Sequence, residues 1–94
     1  MSEEKPLKLA IKQLMRAYGY QKQLDKLELL KIYEEEVGHL FSNHTKEVNF
    51  KEGILYVYLD SAALKQELSY VKEGLVQKLN KKMGKTLVEK IVIK

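Results

Sequence analysis

Apolar and polar residues alternate along residues 48–59 and then, with no linker between, apolar residues recur at helical spacing. Val48 and Phe50 share one face of a first run, and Leu55, Val57 and Leu59 share one face of a second, the pattern of two half-buried strands. Glu52-Gly53 separates them, and Gly supplies the positive φ that a tight turn needs, so the segment predicts a β-hairpin. At Asp60-Ser61 the alternation stops. Either residue can cap a helix that carries Leu64, Leu68, Val71, Leu75, Leu79 and Met83 on one side as far as Gly84.

Upstream, Pro6 suits a first helical turn, and Leu7, Ile11, Leu14, Met15 and Tyr18 form one amphipathic stripe that ends at Gly19. The expectation is that this stripe faces the core while Lys8, Lys12 and Arg16, four apart, line the solvent side. Residues 1–5 are polar and expected to be disordered. A second helix is predicted over residues 21–43 from Leu24, Leu27, Leu30, Tyr33, Val37, Leu40 and Phe41. Gly38 within it implies a close approach by a neighbouring element, and Asn43 before His44-Thr45 would take the left-handed turn into the first strand. Residues 86–93 are β-branched, place Ile91 and Ile93 on one face and predict a third strand. Tyr33, Val37, Leu55, Val57, Leu68 and Leu75 are the expected core.

Charge changes the picture more by its distribution than by its total of +4. Residues 1–31 hold seven Lys/Arg against four acids, residues 32–71 three against seven, and residues 72–94 seven against two. Basic ends fit a polyanion partner or a merely solvated surface, while Glu34, Glu35 and Glu36 make the second helix a poor nucleic-acid face. The length and 45% hydrophobic content fit one domain, residues 1–94, with a single core. Cysteine is absent, and no stretch reads as a signal peptide or a membrane span, so a cytoplasmic protein with no membrane contact is expected.

Candidate chemistry is sparse. His39 and His44 are five apart, off one helical face, and no third ligand completes a zinc set, so no metal or cofactor is expected. Phosphate loops and nucleophile–base pairs are also missing, so the chain does not read as an enzyme. What stands out is the second face of the strands. If Leu55, Val57, Leu59, Ile91 and Ile93 point at the helices, Tyr56, Tyr58, Lys90, Val92 and Lys94 point away. Tyrosines beside lysines offer stacking and phosphate neutralisation to a single strand. Lys78, Lys81, Lys82 and Lys85, crowded where the last helix hands over to the last strand, would then form a charged rim to that face. A homodimer through the same face, or ordinary cross-strand tyrosine packing, are the alternatives.

The run IYEEEVGHLFSNHT, then GILYVYLDSAALKQEL, LVQKLNKKMG and VEKIVI resembles the DUF721 family, whose better-studied members are DciA-type operators of the replicative helicase. Tyr33 takes the place of the family's aromatic ahead of Val37-Gly38, while His44-Thr45, Leu55, Val57, Ser61, Glu67-Leu68 and Leu79-Asn80 match its pattern. Leu64 stands where many members have Trp, and the operators commonly carry residues beyond this domain, of which this chain has few. The resemblance implies a KH-like type II fold (α-β-β-α-α-β) with an additional N-terminal helix, and the expected architecture is α+β with three helical segments on one face of a three-stranded sheet, Gly74 being a point at which the last long helix can break in two. It implies a non-enzymatic replication accessory that contacts the replicative helicase and binds single-stranded or forked DNA weakly and without sequence preference. Two other classes stay open: a protein-interaction or dimerisation module that binds no nucleic acid, and an RNA-binding KH relative. Against the last, the five glycines include no pair three apart, so a GxxG clamp is missing.

Overall fold

A computed structural model describes residues 6–94; residues 1–5, where disorder was expected, lie outside the described residues. In chain order the elements are α1 (Pro6–Ala17), α2 (Gln21–Asn43), β1 (Thr45–Lys51), β2 (Ile54–Leu59), α3 (Ala62–Met83) and β3 (Lys90–Ile93). The fold is α+β, with a three-stranded mixed sheet in the order β1-β2-β3, antiparallel across the first seam and parallel across the second.

The hairpin forms as its alternation requires. Val48 pairs with Val57 and Phe50 with Leu55, and Glu52 and Gly53 both take positive φ, 51° and 81°, which is the mirror-image two-residue turn that follows strand twist. A Cβ on Gly53 would run into the Glu89 carboxylate, so this turn also lets the chain before β3 come close. There the Gly53 carbonyl accepts from Glu89 N at 2.7 Å. β1 begins earlier than its alternation indicates, because a bulge between Thr45 and Glu47 breaks the period.

Seven inward side chains line one face of the sheet: Val48, Phe50, Leu55, Val57, Leu59, Ile91 and Ile93. Against it pack Leu29, Ile32 and Tyr33 of α2, Leu64, Leu68, Leu75 and Leu79 of α3, and Val88 from the turn before β3. Five of the six expected core residues are buried, and Val37 is half-buried against them. On α2 the stripe lies elsewhere than expected: Leu27 and Leu40 are exposed, and Leu29 and Ile32 do the packing. Leu24, Leu27, Leu30 and Tyr33 follow at steps of three, which drift about 60° per step around a helix and so do not hold one face. Tyr33 is fully buried, its hydroxyl 3.4 Å from Thr45 Oγ1, and burial pushes its phenol pKa up against that bond.

Three more expectations are corrected. Gly38 (φ 79°, ψ 175°) breaks the helical path inside α2, and nothing lies within 4 Å of where its Cβ would be, so a kink and not close packing is what it serves. Asn43 keeps negative φ, and His44 caps α2 through its N–H to Phe41 and Ser42. α3 runs unbroken through Gly74, capped by Ser61, which accepts from Leu64 N at 3.3 Å, and stopped by left-handed Gly84. One long helix therefore stands where the expected pattern has two, and Val71 is 54% exposed at the margin of its apolar side. Among the described residues, α2 and α3 alone cover the sheet, and α1 contributes no buried residue and packs against α2.

The third expected strand shortens to four residues. Thr86–Glu89 stay out of the sheet because Asn80 holds the turn: its Oδ1 accepts from Leu87 N (3.0 Å) and Val88 N (2.8 Å), and its Nδ2 donates to Val88 O (2.9 Å). Ion pairs tie the helix layer together, among them Lys85 Nζ to Asp25 Oδ2 and Lys82 Nζ to Glu36 Oε2, each 2.6 Å.

Candidate nucleic-acid interface

The face of the sheet turned from the helices is built by register. Inward Leu55, Val57 and Leu59 alternate with outward Ile54, Tyr56 and Tyr58 on central β2. Tyr58 sits opposite Glu47 of β1, and Tyr56 sits between Asn49 of β1 and Val92 of β3. Ile54 sits between Lys51 and Lys90, both exposed. Lys94, two residues beyond Val92, follows the same alternation, and its backbone still bonds β2, with Lys94 N donating to Val57 O at 2.8 Å. The tyrosines are half-buried by their sheet neighbours, so their rings offer stacking area already held in place.

Of the expected site residues, the structure thus brings together Tyr56, Tyr58, Lys90 and Lys94. It adds Lys51, which the sequence reading passed over, although a two-residue turn at residues 52–53 puts 51 opposite 54 by simple counting. The other four lysines belong to the helix layer on the opposite side of the sheet and do not form a rim to the tyrosine face. Lys82 is held by Glu36, whose hydrogen bond and charge raise its pKa, and Glu36 in turn is lowered chiefly by that hydrogen bond. Lys85 is held by Asp25. Lys78 lies beside the groove between α2 and α3, and Lys81 is exposed. The reason is helical geometry: from Lys78 to Lys82 α3 turns through more than one circuit, which spreads these side chains around its axis, and Lys85 follows the left-handed stop at Gly84.

Other chemistry is limited. His44 Nδ1 lies 2.8 Å from Asp60 Oδ1 and joins the end of α2 to the exit of β2. Among the described residues no group of three His, Cys, Asp or Glu is placed to hold a metal, and no helix is long and apolar enough to cross a membrane.

A protein-family model described as "Dna[CI] antecedent, DciA" matches residues 6–93. No curated protein and no solved structure matches the chain.

Proposed function

This chain belongs to the DciA family, and from that premise we propose a non-enzymatic, helicase-loader-like role in DNA replication in which the protein contacts the replicative helicase and binds single-stranded or forked DNA weakly and without sequence preference. The family match over nearly all of the chain carries the helicase part. The DNA part is supported by the uncovered sheet face, where Tyr56 and Tyr58 stand among Lys51, Lys90 and Lys94. Aromatic faces stack on any base and lysines neutralise any phosphate, which is why the binding we propose has no sequence preference. Lys78 and Lys81 add positive charge from the helix layer, and Lys82 and Lys85 add less because carboxylates already hold them.

The KH-like reading of the architecture belongs to the same proposal. It is supported by a hairpin followed by a helix and a parallel closing strand, and it differs by having one helix there instead of two. A cytoplasmic location follows from the proposed role. The test pairs the purified chain with its cognate replicative helicase in size-exclusion chromatography and with a labelled oligo-dT strand in fluorescence anisotropy. A co-eluting complex and weak oligonucleotide binding are expected. No complex would remove the helicase role, and a dimer broken by Tyr56→Ala with no DNA binding would favour the dimerisation module.

A further inference from the structure

β1 lies at one edge of the sheet, with β2 along one of its two sides. Pairs across an antiparallel seam alternate, and a two-residue turn closes on a hydrogen-bonded pair, here Lys51 with Ile54, so the next bonded pairs are Asn49 with Tyr56 and Glu47 with Tyr58. Val48 and Phe50, lying between them, turn their N–H and C=O groups away from β2, and among the described residues these groups have no hydrogen-bond partner. Their side chains are incompletely covered as well. Leu55 and Val57, opposite them on β2, are fully buried, whereas Val48 and Phe50 are half-buried. Free backbone groups beside half-covered apolar side chains are satisfied together by one kind of partner, another strand.

We propose that this strand is β1 of a second copy of the chain, paired antiparallel about a two-fold axis at Asn49. The sequence of β1 is complementary to itself in that register. Val48 exchanges bonds with Phe50 of the second copy, an apolar pair on the helix-facing side, and Glu47 stands opposite Lys51 of the second copy on the outer side, at both ends of the seam. Neighbouring registers lose the charge match. Centred on Val48, the seam sets Lys51 opposite Thr45 and Glu47 opposite Asn49; centred on Phe50, it sets Lys51 opposite Asn49 and Glu47 opposite Gly53. The other edge, β3, centred on Val92 would set Lys90 opposite Lys94, like charge against like. A two-fold contact uses the same edge of both copies, so it closes at a dimer. It also keeps both tyrosine faces on one side of a continuous sheet.

The experiment is sedimentation equilibrium of the full chain up to about 1 mM, for wild type, Glu47→Lys, Lys51→Glu and an equimolar mixture of the two variants. Wild type should dimerise. Each variant alone sets like charges opposite each other at both ends of the seam and should weaken the dimer about tenfold. In the mixture Glu47 of one chain again meets Lys51 of the other, and the two substituted side chains meet each other with opposite charge, so dimers should return at wild-type strength. Melting temperature at low concentration should stay unchanged in both variants, because Glu47 and Lys51 are exposed and form no ion pair among the described residues. A wild-type chain that stays monomeric overturns the proposal, and so does a mixture no more dimeric than its separate components. A dimer that both variants leave intact and Tyr56→Ala dissociates belongs to the tyrosine face, and growth beyond a dimer belongs to a head-to-tail contact between β1 and β3; either result overturns it. None of these readouts depends on helicase or DNA binding.

Discussion

Single side chains show where this small domain is vulnerable. Asn80 makes three hydrogen bonds to the backbone of Leu87 and Val88, and Val88 is fully buried, so Asn80→Ala orphans buried groups and should cost about 1–3 kcal/mol in a urea titration. The side-chain amide suits this turn because its oxygen accepts twice while its nitrogen donates on the same planar group, an arrangement that Gln would carry only at a longer reach. Leu68→Ala should cost about 2–5 kcal/mol, whereas Val71→Ala, exposed at the margin, should stay within about 0.5 kcal/mol by the same measurement. Asp25 predicts the acid limb. Burial raises its pKa, but hydrogen bonds from Lys85 and Gln21 and the charges of Lys85 and Arg16 outweigh that and hold it below the usual carboxylate value. A depressed folded pKa means stability that is present above the unfolded value near 4 and is lost as pH falls through the folded one. The urea midpoint should therefore drop on acidification from pH 5 to pH 3, and Asp25→Asn should make that drop shallower.

At the scale of elements, two glycines inside helices should respond with opposite signs. Gly74 has helical backbone and open space at its Cβ, so Gly74→Ala should stabilise by up to about 1 kcal/mol. Gly38 sits at φ 79° and ψ 175°, a region nearly closed to other residues, so Gly38→Ala should destabilise by about 1–3 kcal/mol. Paired thermal melts would read both signs. A sequence holds no mark that separates these two positions, because a glycine states permission and not conformation. The hairpin, the Ser61 cap and the helix-3 stripe were legible because alternation, capping and i+4 spacing are local rules. The orientation of α1 was not legible. Periodicity says that one side is apolar and is silent about what that side meets, and here Lys8, Lys12 and Arg16 line a cleft against α2 that Glu28 and Glu35, more than ten residues away in sequence, also line. Strand register places Tyr56, Tyr58 and Lys90 on the outer sheet face, as alternation indicates, whereas Lys78, Lys81 and Lys82 are close in sequence but spread around the axis of α3.

For the molecule as a whole, the two layers give the proposed DNA contact a measurable limit. If only Lys51, Lys90 and Lys94 neutralise phosphates, log affinity for oligo-dT should fall against log salt with a slope of about −2, and Lys51→Ala should reduce that slope by about 0.7. Tyr56→Ala should lose roughly 1–3 kcal/mol of binding if a base stacks on it. Charge reversal at Lys81 should act only as a weak, distant field. The mixed sheet carries a further consequence, for the order in which the protein assembles. Its antiparallel seam is closed by two residues and belongs to the microsecond regime of hairpins, whereas its parallel seam waits until the chain has run through the whole of α3 and back to Lys90. Until then β2, the most apolar strand, presents one unpaired backbone edge to every other chain in the solution. The refolding yield of this protein should accordingly be set by how fast α3 delivers the last strand, and concentration should matter most in that interval.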